Sequence, residues 1–368
     1  MKFSNYIWAL YLLTFPFYIF PAHYPQLADI FGAILIITNF KLIILNIKAN
    51  VFTKYLYIFV MYTILINAIW MFLAEDILIL RSSVYYLYSF FMILFLYSKI
   101  KEDSFLLFTF KALVLTAVIQ IGLYPLIVDQ GERTQLFFSN PNQLALYGLC
   151  MLIISNIIAE CIKIKLIYVL FVSGIFTMLI IISASRSAAV GVILFWLFFF
   201  VKSRKHVLVL ATAILITIAA ISITGKFDPN KFTTINYVFE RLTVQNNTYN
   251  QGLDGRGFNR IIEFPQYLLF GAGEGKYARF GSRIELHSTF YSILFCYGII
   301  GLGLFMIAIF TLFKGFNKQV IILFLVLALF AQVHMALRLP IFWITLLFLN
   351  HLASYKTIII NTTIKELK

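Results

Sequence analysis

Residues 55–73 read YLYIFVMYTILINAIWMFL, nineteen positions from Tyr55 to Leu73 without one charged side chain. A hydrocarbon layer about 30 Å thick takes about 20 such residues as a helix, so this stretch predicts a membrane span. Working outward, similar apolar runs fall near 6 to 20, 27 to 46, 77 to 98, 104 to 127, 140 to 158, 166 to 182, 187 to 201, 207 to 224, 287 to 313, 319 to 336 and 340 to 355. The expectation is therefore an all-α polytopic membrane protein with about twelve transmembrane helices. Composition agrees, because 62% of the 368 residues are hydrophobic and only 12% charged, where a soluble domain carries about 25% charged. Such a surface could not be kept in water. The cysteines, Cys150, Cys161 and Cys296, all lie in apolar runs and suggest neither disulfides nor a thiolate metal site.

The 29 basic and 15 acidic residues leave a net charge of +14, and their placement explains the excess better than nucleic acid does. With the amino terminus inside, the even-numbered breaks hold Lys41, Lys48, Lys54, Lys99, Lys101, Lys163, Lys165, Lys202, Arg204, Lys205, Lys314 and Lys318, and the chain ends add Lys2, Lys356, Lys365 and Lys368. This positive-inside pattern predicts cytoplasmic termini. The first run is read as a retained span, since no small-residue cleavage site follows Phe20. The opposite face receives short breaks at 21 to 26, 74 to 76, 128 to 139, 183 to 186 and 337 to 339, and one long loop. The chain then divides into helices one to nine over 1–224, an outer loop over 225–286, and helices ten to twelve with a cytoplasmic tail over 287–368.

Lysine and arginine are segregated. Nine of the ten arginines fall at or near the outer face, whereas most lysines are inside. Topology has no use for outer arginines, but a planar guanidinium grips phosphate oxygens in pairs. Pairing with outer carboxylates is the plainer account of any one of them. As a set they predict an anion site at headgroup level, and Arg133, Arg279 and Arg283 are candidates on this ground alone.

Four outer stretches carry the chemistry. Phe138-Ser139-Asn140-Pro141-Asn142-Gln143 opens a span, and Asn140 before Pro141 is ordinary helix capping. Asn142 and Gln143 add two amides there, so Asn140, Asn142 and Gln143 are candidate glycan contacts. Ser183-Ala184-Ser185-Arg186-Ser187 places an arginine at the mouth of two spans, which is expensive unless it is paired or functional. Asp254-Gly255-Arg256-Gly257 leads through Arg260 and Glu263 to Gly271-Ala272-Gly273-Glu274-Gly275, whose spacing matches no nucleotide-binding fingerprint. Arg279 to Ser288 ends the loop, and His287 alone among the histidines is flanked by arginines and a glutamate, Glu285. A gapless alignment of Gly131–Leu149 on Gly281–Ile299 also pairs Gly131, Arg133, Leu136, Leu144, Tyr147 and Gly148 with identical residues. If it marks a repeat, the repeat is parallel and relates Arg133 to Arg283.

Asn-Pro-Asn before one helix, Ser-Arg-Ser between two later ones, then Gly255-Arg256, Pro265, Gly271-Ala272-Gly273, His287-Ser288-x-Phe290, Tyr297-Gly298-Ile299 and Gly301-Leu302-Gly303 occur in that order over residues 130–310. In this the chain resembles the O-antigen ligase and Wzy polymerase superfamily, departing from it at Ser288, where the family has Asn. The resemblance implies a GT-C-like glycosyltransferase fold in the bacterial inner membrane. It also implies transfer of a glycan from undecaprenyl diphosphate at the periplasmic face, without metal or other cofactor. Arg186 and Arg256 correspond to its diphosphate-binding arginines and His287 to its general base, with Glu285 as the alternative base or the residue that orients the imidazole. The expected partners are the lipid-linked oligosaccharide, membrane lipid and a chain-length regulator protein, with no nucleic acid. The Asn140-Pro141-Asn142 stretch and the 40 phenylalanines favour a polymerase over a ligase acting on lipid A core. A flippase for the same lipid-linked sugar is the reading from another class.

Overall fold

The computed structural model describes residues 3–21, 24–124, 134–202, 256–281, 285–313 and 317–366. These form thirteen α-helices and no strand among the described residues: α1 (Phe3–Thr14), α2 (Leu27–Thr38), α3 (Phe40–Asn46), α4 (Val51–Ala74), α5 (Leu80–Lys99), α6 (Asp103–Leu123), α7 (Pro141–Ile162), α8 (Leu166–Ile182), α9 (Arg186–Lys202), α10 (Arg260–Glu263), α11 (Thr289–Phe310), α12 (Lys318–Ala331) and α13 (Pro340–Glu366).

Five helices in the described residues are long and apolar enough to cross a membrane, and six if one bent pair counts as a span. The expected number was about twelve, and length accounts for much of the difference. Helices α8, α9 and α12 are apolar but only 14 to 17 residues long. At 1.5 Å per residue each rises about 21–26 Å, short of a hydrocarbon layer of about 30 Å. The run from 27 to 46 is bent by 78° between α2 and α3 at Asn39. Helix α1 stops at Thr14, ahead of Pro16. The run at 207–224 lies outside the described residues.

Helix α7 is central. Nearly every side chain from Leu144 to Cys161 is buried, as expected for a helix apolar all round, and it packs against α6, α8 and α13. Helix α13 brings a second unbroken run of buried side chains, Ile341 to Leu349. Between α4, α5, α11 and α13 the rings of Phe59, Tyr86, Tyr297, Phe305 and Trp343 meet at centroid distances of 5.3 to 6.5 Å. Polar side chains inside the bundle are bonded across helices. Trp8 Nε1 donates to Thr109 Oγ1 at 3.0 Å, joining α1 to α6, and Asn156 Nδ2 donates to Ser173 Oγ at 2.9 Å, joining α7 to α8.

The described part of the long loop does more than cover helix ends. Gly298 breaks α11 with a left-handed φ of 67°, which exposes backbone groups on both sides of the break. Those groups pair with the loop: Ala272 N donates to Phe295 O and Gly273 N to Cys296 O, both at 2.9 Å, and Ile299 N donates to Leu268 O at 2.7 Å. Helix α4 closes the other side, where Tyr62 Oη donates to Phe270 O and Trp70 Nε1 to Gly271 O, each at 2.9 Å. Irregular backbone among apolar helices is tolerated when its polar groups are satisfied in this way.

Candidate active site

The wedged segment carries Glu274 into the protein, and a cation meets it there. Glu274 is fully buried, and its Oε1 accepts from Arg338 Nε at 2.7 Å, while Oε2 accepts the hydroxyls of Tyr297, at 2.8 Å, and of Tyr86. Its backbone N–H donates to Asn67 Oδ1 at 2.9 Å, and Asn67 Nδ2 in turn donates to Ser83 Oγ at 3.0 Å and to Tyr297 Oη at 3.2 Å. A buried carboxylate is stable only when so completely bonded. Arg338 uses its remaining nitrogens outward. Nη1 donates to both oxygens of Glu285 at 3.0 Å, and Nη2 to Tyr277 Oη at 3.4 Å. Burial works against the guanidinium's charge, but the carboxylates of Glu274 above all and of Glu285 hold it more firmly protonated than a free arginine. Burial pushes the Tyr277 hydroxyl well above its ordinary range, so it stays neutral.

Beyond Arg338 opens a cavity of about 780 Å³. Glu285, His287 and Arg338 line it, as do Asn140, Asn142 and Gln143. Arg81, Lys276, Asp29 and Asp76 add charge, and Tyr18, Tyr24, Tyr85 and Tyr88 add rings and hydroxyls. Every break expected on the outer side contributes to this cavity except 183 to 186.

The backbone explains how the candidates are held. Asn140 caps α7 by accepting from Gln143 N at 3.0 Å, and Gln143 Oε1 accepts from Ser139 Oγ at 2.6 Å. Ser288 caps α11, its Oγ accepting from Tyr291 N at 3.4 Å, so the residue at which the chain departs from the Asn of the superfamily is a helix cap. Next to it, His287 is exposed, its N–H donates to Arg256 O at 3.3 Å, and its Nδ1 lies 2.7 Å from Glu285 O. A carbonyl only accepts, so Nδ1 carries the hydrogen in that contact and the Nε2 of a neutral ring carries the lone pair.

The arginines are dispersed. Arg256 is exposed and touches the His287 backbone, but it is not among the cavity-lining residues. Arg186 is exposed at the start of α9, also away from the lining, while Ser183 and Ser185 are buried in the turn before it. Arg279 donates through Nη2 to the carbonyls of Ala272 and, at 2.9 Å, Gly273, and its guanidinium lies 4.7 Å from the Trp70 ring and 4.6 Å from that of Phe280. Burial lowers its pKa, and its contacts are those of a brace for the Gly271–Gly275 turn. Arg133 and Arg283 lie outside the described residues, as does the symmetry proposed between them. No cluster of three His, Cys, Asp or Glu side chains is placed to hold a metal among the described residues.

Sequence reasoning left out Arg338 and Glu274 as site residues. Both were visible as an outer arginine and a glutamate in a glycine cluster, but they are 64 residues apart and no spacing rule connects them. Compared with known proteins, the chain matches no family model and no curated protein sequence.

Proposed function

We propose that the protein is a glycosyltransferase acting on a polyprenyl-diphosphate-linked glycan. It extends a surface polysaccharide by moving the chain from undecaprenyl diphosphate onto another lipid-linked repeat unit. The membrane is the bacterial cytoplasmic membrane, with both termini inside and the cavity opening on the outer face. One observation carries this reading: a single cavity holds a histidine with a defined hydrogen-bond donor and acceptor, a carboxylate, amides and cations, as a sugar and its phosphate require.

In the proposed step His287 Nε2 takes the proton of the acceptor hydroxyl as its oxygen attacks the anomeric carbon. The carbon–oxygen bond to phosphate breaks, and the diphosphate leaves with the electron pair. Glu285, with both oxygens accepting from Arg338, acts through its backbone carbonyl by orienting the imidazole. Among the described residues, Arg81 and Lys276 are the cavity cations available to the departing diphosphate besides Arg338. Arg256 and Arg186 are assigned to the diphosphate by the resemblance alone. Asn140, Asn142 and Gln143 contact sugar hydroxyls.

The test is reconstitution of the purified protein with lipid-linked repeat units. A ladder of longer glycans, lost in His287→Ala at an unchanged protein level, supports the polymerase. Product formed only on added lipid A core indicates a ligase. Movement of the lipid across the bilayer with no change in bonds indicates a flippase and overturns the proposal.

A further inference from the structure

At the other end of α7 from the residues that line the candidate active site, a second cavity of about 740 Å³ is lined by the first half of α6, the end of α7 and the start of α8. Its walls are apolar, with Leu107, Phe110, Val114, Ile162 and Ile164, and Tyr168 stands beside them. Two ammonium groups, those of Lys111 and Lys165, interrupt this surface, and Asp103 and Ser104 line it at the start of α6. Lys111 is the unusual member. It lies eight residues into a helix apolar enough to cross a membrane, about 12 Å along the axis from Asp103. It is exposed and has no ion pair among the described residues.

An ammonium at that depth needs either an anion or a path to water, and its stem can reach toward the interface. Leu107 and Tyr168, 43% and 57% exposed, open the groove sideways, where lipid would lie. Asp103 sits in the first turn of α6, where the helix dipole favours a carboxylate. The two lysines outnumber it, leaving the groove with one net positive charge.

We propose that this groove binds an anionic glycerophospholipid with a hydroxylated headgroup, phosphatidylglycerol being the simplest example. An acyl chain lies on Leu107, Phe110 and Val114, and the phosphodiester meets Lys111 and Lys165. The glycerol hydroxyls face Asp103 and Ser104. Charge complementarity selects this occupant over a zwitterionic lipid, because one net positive charge matches one net negative headgroup. The proposal is independent of the reading of the other cavity.

Native mass spectrometry of the full chain tests it. The protein is released from vesicles containing equal amounts of phosphatidylglycerol, phosphatidylethanolamine, phosphatidylcholine and a polyprenyl phosphate. Phosphatidylglycerol is expected to be retained about fivefold over either zwitterionic lipid, and the preference should fall to parity in Lys111→Gln/Lys165→Gln. Lys41→Gln, a change outside the groove, should keep it. Equal retention of phosphatidylethanolamine, stronger retention of the polyprenyl phosphate, or an unchanged preference in the double variant would each overturn the proposal. Elution volume on size exclusion and the thermal midpoint show whether each variant is folded. If the double variant is not, Lys165→Gln alone must reduce the preference by about half for the proposal to stand.

Discussion

Replacing Arg338 by Met removes the only ion-pair partner of Glu274 among the described residues while leaving the carboxylate fully buried. Stranding a buried charge in this way costs about 3–5 kcal/mol. The low end applies here, because the hydroxyls of Tyr86 and Tyr297 still donate to Glu274 and the Arg338 side chain is itself 29% exposed. At ~2 °C per kcal/mol for a large domain, about 3 kcal/mol lowers the thermal midpoint by roughly 6 °C. The buried cysteines Cys150, Cys161 and Cys296 supply the assay, since a thiol-reactive fluorophore in detergent reports their exposure on unfolding. The decisive comparison is Glu274→Gln/Arg338→Met, in which no buried charge is left behind and only the exposed Glu285 loses a partner. That double variant should unfold at a higher temperature than Arg338→Met alone. Additive losses, or an unshifted midpoint in the single variant, would show that the pair does not organise this end of the bundle.

Gly298→Ala and Gly271→Ala should yield no folded protein: their Cβ atoms would lie 2.3 Å from Leu269 O and Cys296 O, at left-handed φ values of 67° and 103°. Gly174→Ala, with nothing within 4 Å, should accumulate normally on immunoblots of membranes. Asn140→Ala should lose the α7 cap and about 1 kcal/mol, seen as a lower thermal midpoint, whereas Asn140→Asp keeps the acceptor and most of the stability. Arg81→Gln/Lys276→Gln should abolish glycan extension in the reconstituted assay. If Arg186→Gln/Arg256→Gln abolishes it and the former pair does not, the diphosphate lies outside the cavity. Lys276 Nζ also donates to Ala74 O at 2.5 Å, so the thermal midpoint must be recorded alongside.

The membrane character was legible because it rests on composition, which folding does not alter. Helix number was less so. A sequence window registers how apolar a run is but not where it bends, and the segment from 27 to 46 reads as continuous although it turns by 78° at Asn39. The helix start at Asn140 was readable as local capping chemistry and occurs as such, whereas the Ser288 cap was found only in the structure. The wedge at 268–273 was not, because its bonds run to backbone groups that become available only once Gly298 breaks α11. The meeting of the outer breaks at one cavity, all but 183 to 186, followed from their assignment to a common face. The ion pairing of Arg338 did not, since charge type reveals which side a residue favours and nothing about its partner.

The internal similarity shows how far identity can stand from equivalence. Tyr147-Gly148 and Tyr297-Gly298 align without a gap. Tyr147 lies among the rings of Phe15, Phe138 and Phe176, and Gly148 remains helical, its bare Cα making room for Ile180 of α8. Tyr297 instead donates to Glu274, and Gly298 adopts a conformation that a side chain would strain, with Leu269 O where a Cβ would be. One glycine serves helix packing and the other a helix break. The difference comes from what packs against each: a regular helix in the first case, a polar strip with its own backbone donors in the second. Whatever relation the two segments have by descent, among the described residues it is the second that receives a strip carrying a charge inward, which places the chemical asymmetry of this bundle at residues 268–274.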